Sequence, residues 1–382
     1  MKPIRDLFLL DPEVIFLNHG SFGACPKAVF EVYQAWQMRL EKQPVLFLGR
    51  EFNDLISASR RALAEEVHAG EDDLVYIPNA THGVNIIARS LNLSLGDEIL
   101  ASDHEYGACN NTWEFICHQS RARYVHQHIP LPAASPEGVI EELWKGVNHN
   151  TKLIYISHIT SPTAQFFPVQ AICNRARQSG ILTVVDGAHI PGQVELDLIA
   201  LDADFYVGNC HKWMLSPKGA AFLYARKEVQ EMVEPLVVSW GWSADQTNST
   251  GSRFLDLLQW TGTHDPSAAL SVPAALQFMR DNDWRSVRRQ CHALLKEALQ
   301  RISRLSKLPA IYNLDDQDSS LLPPQMGIAP LPGRIDTSRL KNNLYQKFRI
   351  EVPIIEWGTT SLNRGKKVRL AKNGVHWQTL GY

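Results

Sequence analysis

Short runs of apolar and β-branched residues alternate along the chain with longer stretches whose apolar positions recur every three or four residues. The runs at 73–77, 98–101, 122–128, 152–157, 182–185, 205–207 and 220–224 read as strands. The stretches at 28–43, 54–68, 78–91, 107–118, 137–147 and 169–179 read as helices. Pro26 precedes the first of these, Pro44 ends it, and Gly180 caps the last. Several of the runs are apolar throughout, as strands covered on both faces are. This alternation predicts stacked βαβ units, an α/β fold with a mainly parallel central sheet and helices on both faces.

Beyond residue 265 the pattern changes. Helical stretches at 266–279 and 284–306 lead into an irregular, Pro-rich segment at 309–333. A helix at 340–348 and strands at 350–355 and 367–370 follow. A large domain over 16–265 and a smaller C-terminal α+β domain over 266–382 are expected, with residues 1–15 packing on the smaller one.

Composition narrows the function. The 382 residues are 45% hydrophobic and 20% charged, as in an ordinary globular chain with an ample core. A net charge of −2 gives no general attraction to nucleic acid or an anionic membrane. No apolar stretch approaches the roughly 20 residues that span a bilayer. The apolar run near the N-terminus is too short for a signal peptide. The six cysteines show neither CxxC nor zinc-like spacing, so reduced thiols, a cytoplasmic location and no metal are expected.

The chemistry concentrates in two stretches. Leu182-Thr-Val-Val-Asp-Gly-Ala-His189 delivers Asp186 at the end of a buried strand, and Phe205-Tyr-Val-Gly-Asn-Cys-His-Lys212 delivers His211 and Lys212 after another. Open α/β sheets bind ligands outside the carboxyl ends of their strands. An acid and an amine in one such crevice suit pyridoxal phosphate, which needs a lysine for its aldehyde and an acid for its pyridine nitrogen. Taken singly, each residue is better read as a plain strand-end acid or a solvated lysine. Together they favour the cofactor.

Other stretches add candidates. Pro78-Asn-Ala-Thr-His-Gly83 runs from a strand into a helix N-terminus, a candidate anion site where Gly83 permits close approach, but spacing alone favours an ordinary N-cap at Thr81. His104 and Tyr106 follow a strand end, where a ring could lie on the pyridine face, and Tyr106 is preferred. Ser161 and Thr163 could bond the cofactor or substrate, or simply make a turn. Arg369 could clamp a carboxylate. No GxGxxG follows the first strand, and GxxxxGK[ST] and GxSxG are absent, so nicotinamide, P-loop and α/β-hydrolase functions lack their fingerprints.

Asp186-Gly-Ala-His189 with Gly208-Asn-Cys-His-Lys212, and Asn79-Ala-Thr-His-Gly-Val84, resemble the class V aminotransferase group of fold-type I pyridoxal phosphate enzymes, nearest its isopenicillin N epimerase-like branch. The resemblance runs from about residue 16 to 369. It implies that Lys212 carries pyridoxal phosphate, that Asp186 and His189 address its ring, and that Ala80, Thr81 and His211 hold its phosphate. It implies a homodimer in which Thr263 of Gly262-Thr263 reaches the neighbouring subunit's phosphate. Segment 16–23, with His19 and Ser21, is expected against the substrate, and Arg369 on the carboxylate of an amino-acid substrate. After Leu370 the sequence departs from the family pattern, which bears on how strong the catalysis is. The expected activity is epimerase-like or cysteine-conjugate C–S lyase-like, with an aminotransferase or a catalytically weak, structural or binding member as the alternative. Cysteine desulfurase chemistry is disfavoured because no cysteine follows Cys291.

Overall fold

The computed structural model describes residues 4–133, 135–242, 249–314, 321–333, 335–357 and 368–373, the last stretch as backbone. Its strands are β1 (Ile15–Phe16), β2 (Leu74–Ile77), β3 (Glu98–Ser102), β4 (Arg123–Gln127), β5 (Thr151–Ser157), β6 (Leu182–Asp186), β7 (Phe205–Asn209), β8 (Ala221–Ala225), β9 (Gly327–Pro330), β10 (Ile350–Glu351), β11 (Ile354–Trp357) and β12 (Val368–Asn373). Seven of them form one sheet in the order β2-β8-β7-β6-β5-β3-β4. Only β8 runs against its neighbours. The carboxyl ends of β2, β3, β5, β6 and β7 therefore share one edge.

The sheet is apolar on both faces because both are covered. Along β5, Leu153 and Tyr155 join one hydrophobic cluster while Ile154 and Ile156 join the other. That is the period of two by which side chains alternate across a strand. The helix Ala80–Ser90 buries Val84, Ile86 and Ile87 in one cluster. The helix Val169–Gln178 buries Ile172, Cys173 and Ala176 in the other. At about 25 cal/mol per Å² of apolar surface, this double burial is the main drive to fold.

The expected α/β fold is the observed one, with local corrections. The first helix, Lys27–Lys42, stops before Pro44 as expected, at Gln43 with φ of −154°. Pro44 then opens a short helical turn that runs through a π-helical turn (Phe47–Glu51) into the helix Phe52–Glu66, so helical structure resumes earlier than residue 54. The stretch expected as one helix over 266–279 breaks at Ser271, since Pro273 opens a new helix, Val272–Asp281. The segment read as irregular contains β9, and Val352-Pro353 splits the strand expected at 350–355. A three-stranded antiparallel sheet, β11-β12-β9, forms in the C-terminal part. Near the start of the chain, β1 pairs in parallel with β10.

Candidate active site

The five carboxyl ends converge on a cavity of about 440 Å³. Asp186 and Lys212 both line it. Asp186 is 5% exposed, and burial pushes its carboxyl up from the usual range. Three donors oppose that shift: the Ala188 amide at 2.9 Å from Oδ1, and the Tyr155 hydroxyl at 3.1 Å and Cys109 thiol at 3.8 Å from Oδ2. The charge on Lys212 also favours the ionised acid. Burial pushes the Lys212 amine down to about 8, with Asp186 pulling the other way. A far larger fraction of amine is neutral near pH 7 than in a solvated lysine.

The Lys212 loop is held from two sides. Lys212 Nζ lies 3.4 Å from His189 Nε2, and the Trp213 indole donates to His189 Nδ1 at 3.3 Å. On the other side, His19 Nε2 bonds the Lys212 carbonyl at 2.8 Å, and its ring packs on Trp213. Gly23 has φ of +71°, and a Cβ there would stand 1.8 Å from the His211 carbonyl oxygen. The glycine of this segment thus lets two stretches of backbone meet.

The far end of the cavity is a helix N-terminus. Asn79, not Thr81, caps the helix Ala80–Ser90, accepting from the His82 amide at 2.9 Å. Asn209, at the end of β7, accepts from the Ala80 amide at 2.9 Å. Asn79 and Asn209 thereby leave the Thr81 amide and hydroxyl, at the cavity wall, without a protein partner among the described residues. The dipole and that open amide favour an anion here. His211 also lines the cavity, its Nδ1 bonded to the Ala220 carbonyl at 3.1 Å. Burial pushes its ring down to about 4. With Nδ1–H committed to Ala220, a phosphate is the kind of group that would draw a proton onto Nε2.

Residues 23–325 match the family model described as aminotransferase class V. The chain belongs to the class V aminotransferase family. It is 33% identical over 362 residues to isopenicillin N epimerase of Amycolatopsis lactamdurans, covering 92% of this chain and 90% of that one. It is 29% identical over 369 residues to a probable chloroplastic L-cysteine desulfhydrase of Arabidopsis thaliana, covering 90% and 75%. In fold it resembles the cystine C–S lyase C-DES in complex with cysteine persulfide, at TM-score 0.78 and 20% identity over 95% and 94% of the two chains.

Class V aminotransferases depend on pyridoxal phosphate, and the cavity fits that group. An amine, a buried carboxylate and a helix N-terminus with an open amide match its aldehyde, pyridine nitrogen and phosphate. Among the expected residues, Ala80, Thr81, Tyr106, Ser161, Asp186, His189, His211, Lys212 and Ser21 all line the cavity. Tyr106 stands 45% exposed at its edge.

The structure places three other candidates away from the cavity. His104 is fully buried, with its ring nitrogens on Thr163 Oγ1 at 2.6 Å and the Ile129 carbonyl at 2.8 Å. Thr163 is spent on His104 and on Thr160. His19 holds backbone rather than facing substrate. Each was expected from its position at a strand end or glycine turn, and in each case local hydrogen bonding claims the side chain. The missing side chain of Gly83 lets its helix pack closely on Val207 and Ile77 of the sheet. Thr263 lies on an exposed loop. Arg369 is in β12 opposite Glu356, and its side chain lies outside the described residues.

Sequence reasoning missed Tyr155, Cys109, Glu105 and Trp213. Tyr155 and Ser157 carried a usable signal, two polar groups two residues apart on one face of an apolar strand.

Proposed function

We propose that this protein labilises the α-proton of an amino acid or amino-acid derivative, as an isopenicillin N epimerase-like isomerase or a C–S lyase acting on a cysteine derivative. The observation that carries the reading is the opening of the Lys212 amine and the Asp186 carboxylate on one cavity. Bound pyridoxal phosphate supplies an electron sink for the charge left at the α-carbon. Lys212 takes the α-proton on Nζ, its lowered pKa suiting it to act as a base near neutrality. His189 orients that amine, and Asp186 sets its negative charge against the pyridine nitrogen. Thr81 and His211 anchor the phosphate end. Kinship to an epimerase and to cysteine desulfhydrases supports the two outcomes named.

The same proposal has the enzyme act as a homodimer. The exposed side chains of Trp240 (83%) and Trp242 (58%), and the exposed Thr263 loop, support a surface for a second copy. Arg369 is the proposed carboxylate ligand. Six free cysteines, five of them buried, support a reducing, cytoplasmic setting.

The test is to load the protein with pyridoxal phosphate, reduce it with borohydride and map the labelled peptide, which is expected to be at Lys212. The loaded enzyme is then given D- and L-amino acids and cysteine derivatives in D2O. Deuterium at the α-carbon with inversion marks an epimerase, and sulfide with pyruvate marks a lyase. Keto acid with aminated cofactor would make it an aminotransferase. Cofactor bound at Lys212 without exchange from any substrate would overturn the catalytic reading in favour of a structural role.

A further inference from the structure

Glu105 sits behind the cavity wall and has no part in the chemistry above. It is 4% exposed. Its Oε1 is 2.5 Å from Ser102 Oγ, and its Oε2 is 2.5 Å from Ser157 Oγ. The Ser102 hydroxyl also accepts the His104 amide at 3.2 Å, so its own hydrogen is directed at Glu105 Oε1. Ser157 differs. It ends β5, pairs in register with Asp186 in β6, and lines the cavity. Its hydroxyl hydrogen has two places to go, back to Glu105 or out into the cavity.

The surroundings of Glu105 bear on which it chooses. The titratable groups that act on it are Asp186 at the end of β6, Tyr155 on β5, Tyr124 on β4 and Cys109 on the helix Gly107–Ser120. All are acids. No salt bridge to Glu105 occurs among the described residues, so a charge there is a buried, uncompensated one. The Ser102 and Ser157 hydroxyls and the Ser157 backbone N–H stabilise that charge only in part.

We propose that Glu105 is a positioning residue which, while it carries a proton, donates from Oε2 to Ser157 Oγ and so points the Ser157 hydroxyl hydrogen into the ligand cavity. When the proton leaves to solvent, Ser157 turns its hydrogen back to Glu105 and offers the cavity only lone pairs. The same neutral form spares Asp186 a second negative charge next to it. Burial and the Asp186 charge push the Glu105 carboxyl up to about 8, opposed by its serine bonds, which puts the changeover at the upper edge of neutrality. The inference rests on the cavity being the ligand site, but the proton on Glu105 can be tested without any ligand.

The sign follows from linkage. An acid with a raised folded-state pKa binds more protons folded than unfolded, so it lowers stability as pH rises from about 4.5 to about 8. In the cofactor-free full chain, Glu105→Gln keeps a donor for Ser157 and removes this titration. Urea unfolding at about pH 6.5 and about pH 8 should show the variant gaining on wild type as pH rises. An unchanged difference between them at the two pH values overturns the proton on Glu105.

The hydroxyl is read with 4′-deoxypyridoxine phosphate, which lacks the aldehyde and so leaves Lys212 out of the measurement. The ratio of wild-type to Glu105→Gln affinity should fall by about fivefold between pH 6.5 and pH 9, the size of one neutral hydrogen bond. In a Ser157→Ala background the same ratio should stay constant. A constant ratio in the wild-type background overturns the role of Ser157, whether or not the enzyme proves to be an epimerase or a lyase.

Discussion

The indole N–H of Trp213 meets Nδ1 of His189 at 3.3 Å, and that contact decides where the imidazole proton sits. An indole nitrogen can only donate, so Nδ1 accepts and the proton lies on Nε2. Nε2 is the atom facing Lys212 Nζ at 3.4 Å. A ring N–H aimed at an amine favours the uncharged amine, in the same direction as burial.

Trp213→Phe removes that constraint while keeping an apolar ring. Freed to move its proton to Nδ1, His189 no longer donates to Lys212. Turnover should fall by about fivefold, the worth of one hydrogen bond, with cofactor affinity nearly unchanged. The buried site also loses volume, at a cost of about 1–3 kcal/mol of stability. Steady-state kinetics beside a cofactor titration separates the two effects. Equal loss in both would place the role of Trp213 in packing alone.

The amine of Lys212 can be titrated by how fast the apo protein takes up pyridoxal phosphate. Only the uncharged amine attacks, so uptake should rise with pH and level off above about 8. Asp186 raises the Lys212 pKa, so Asp186→Asn should move the bend to lower pH. Lys212→Ala should show no covalent uptake at any pH. Stopped-flow absorbance supplies the curve, and a bend that stays in place in Asp186→Asn would show that the amine does not feel the carboxylate.

Acid should weaken the fold through its buried imidazoles. Burial holds His19 and His158 at about 3, against an ordinary value of 6.5. The unfolded chain therefore takes up protons first as pH falls. Their contribution is complete above about pH 6.5 and is lost toward 3, at about 1.4 kcal/mol per histidine per pH unit. His158→Phe keeps the ring stacked on Phe166 and removes one titration. Urea unfolding at pH 6.5 and 5 should show the variant losing less than wild type by about 2 kcal/mol.

Gly23→Ala tests the clamp on the lysine loop. A methyl group at φ +71° would stand 1.8 Å from the His211 carbonyl oxygen. Either the N-terminal segment or the His211-Lys212 backbone must move, and stability should drop by about 3 kcal/mol or more. Covalent cofactor uptake should slow in the folded fraction. Uptake at the wild-type rate would mean that the shift is absorbed by the N-terminal segment alone.

The helices and strands of the sheet, its parallel character and the pair Asp186 and Lys212 were legible in the chain itself. Burial on two faces writes itself as unbroken apolar runs, and a carboxylate or amine just after such a run has only the sheet's edge to occupy. What the linear order does not carry is which polar groups spend their hydrogen bonds on each other. His104, Thr163 and His19 share residue types and loop positions with the true cavity residues, yet Ile129, Thr160 and the Lys212 carbonyl claim them. Thr81 became available because Asn79 took the cap locally, at His82, and because Asn209 took the Ala80 amide from 129 residues away, which the linear order does not show. Glu105 and Ser157 meet across 52 residues for the same reason. Hydrogen bonds are directional and saturable, so their partners are assigned by three-dimensional proximity, whereas the hydrophobic pattern acts through area and survives in one dimension.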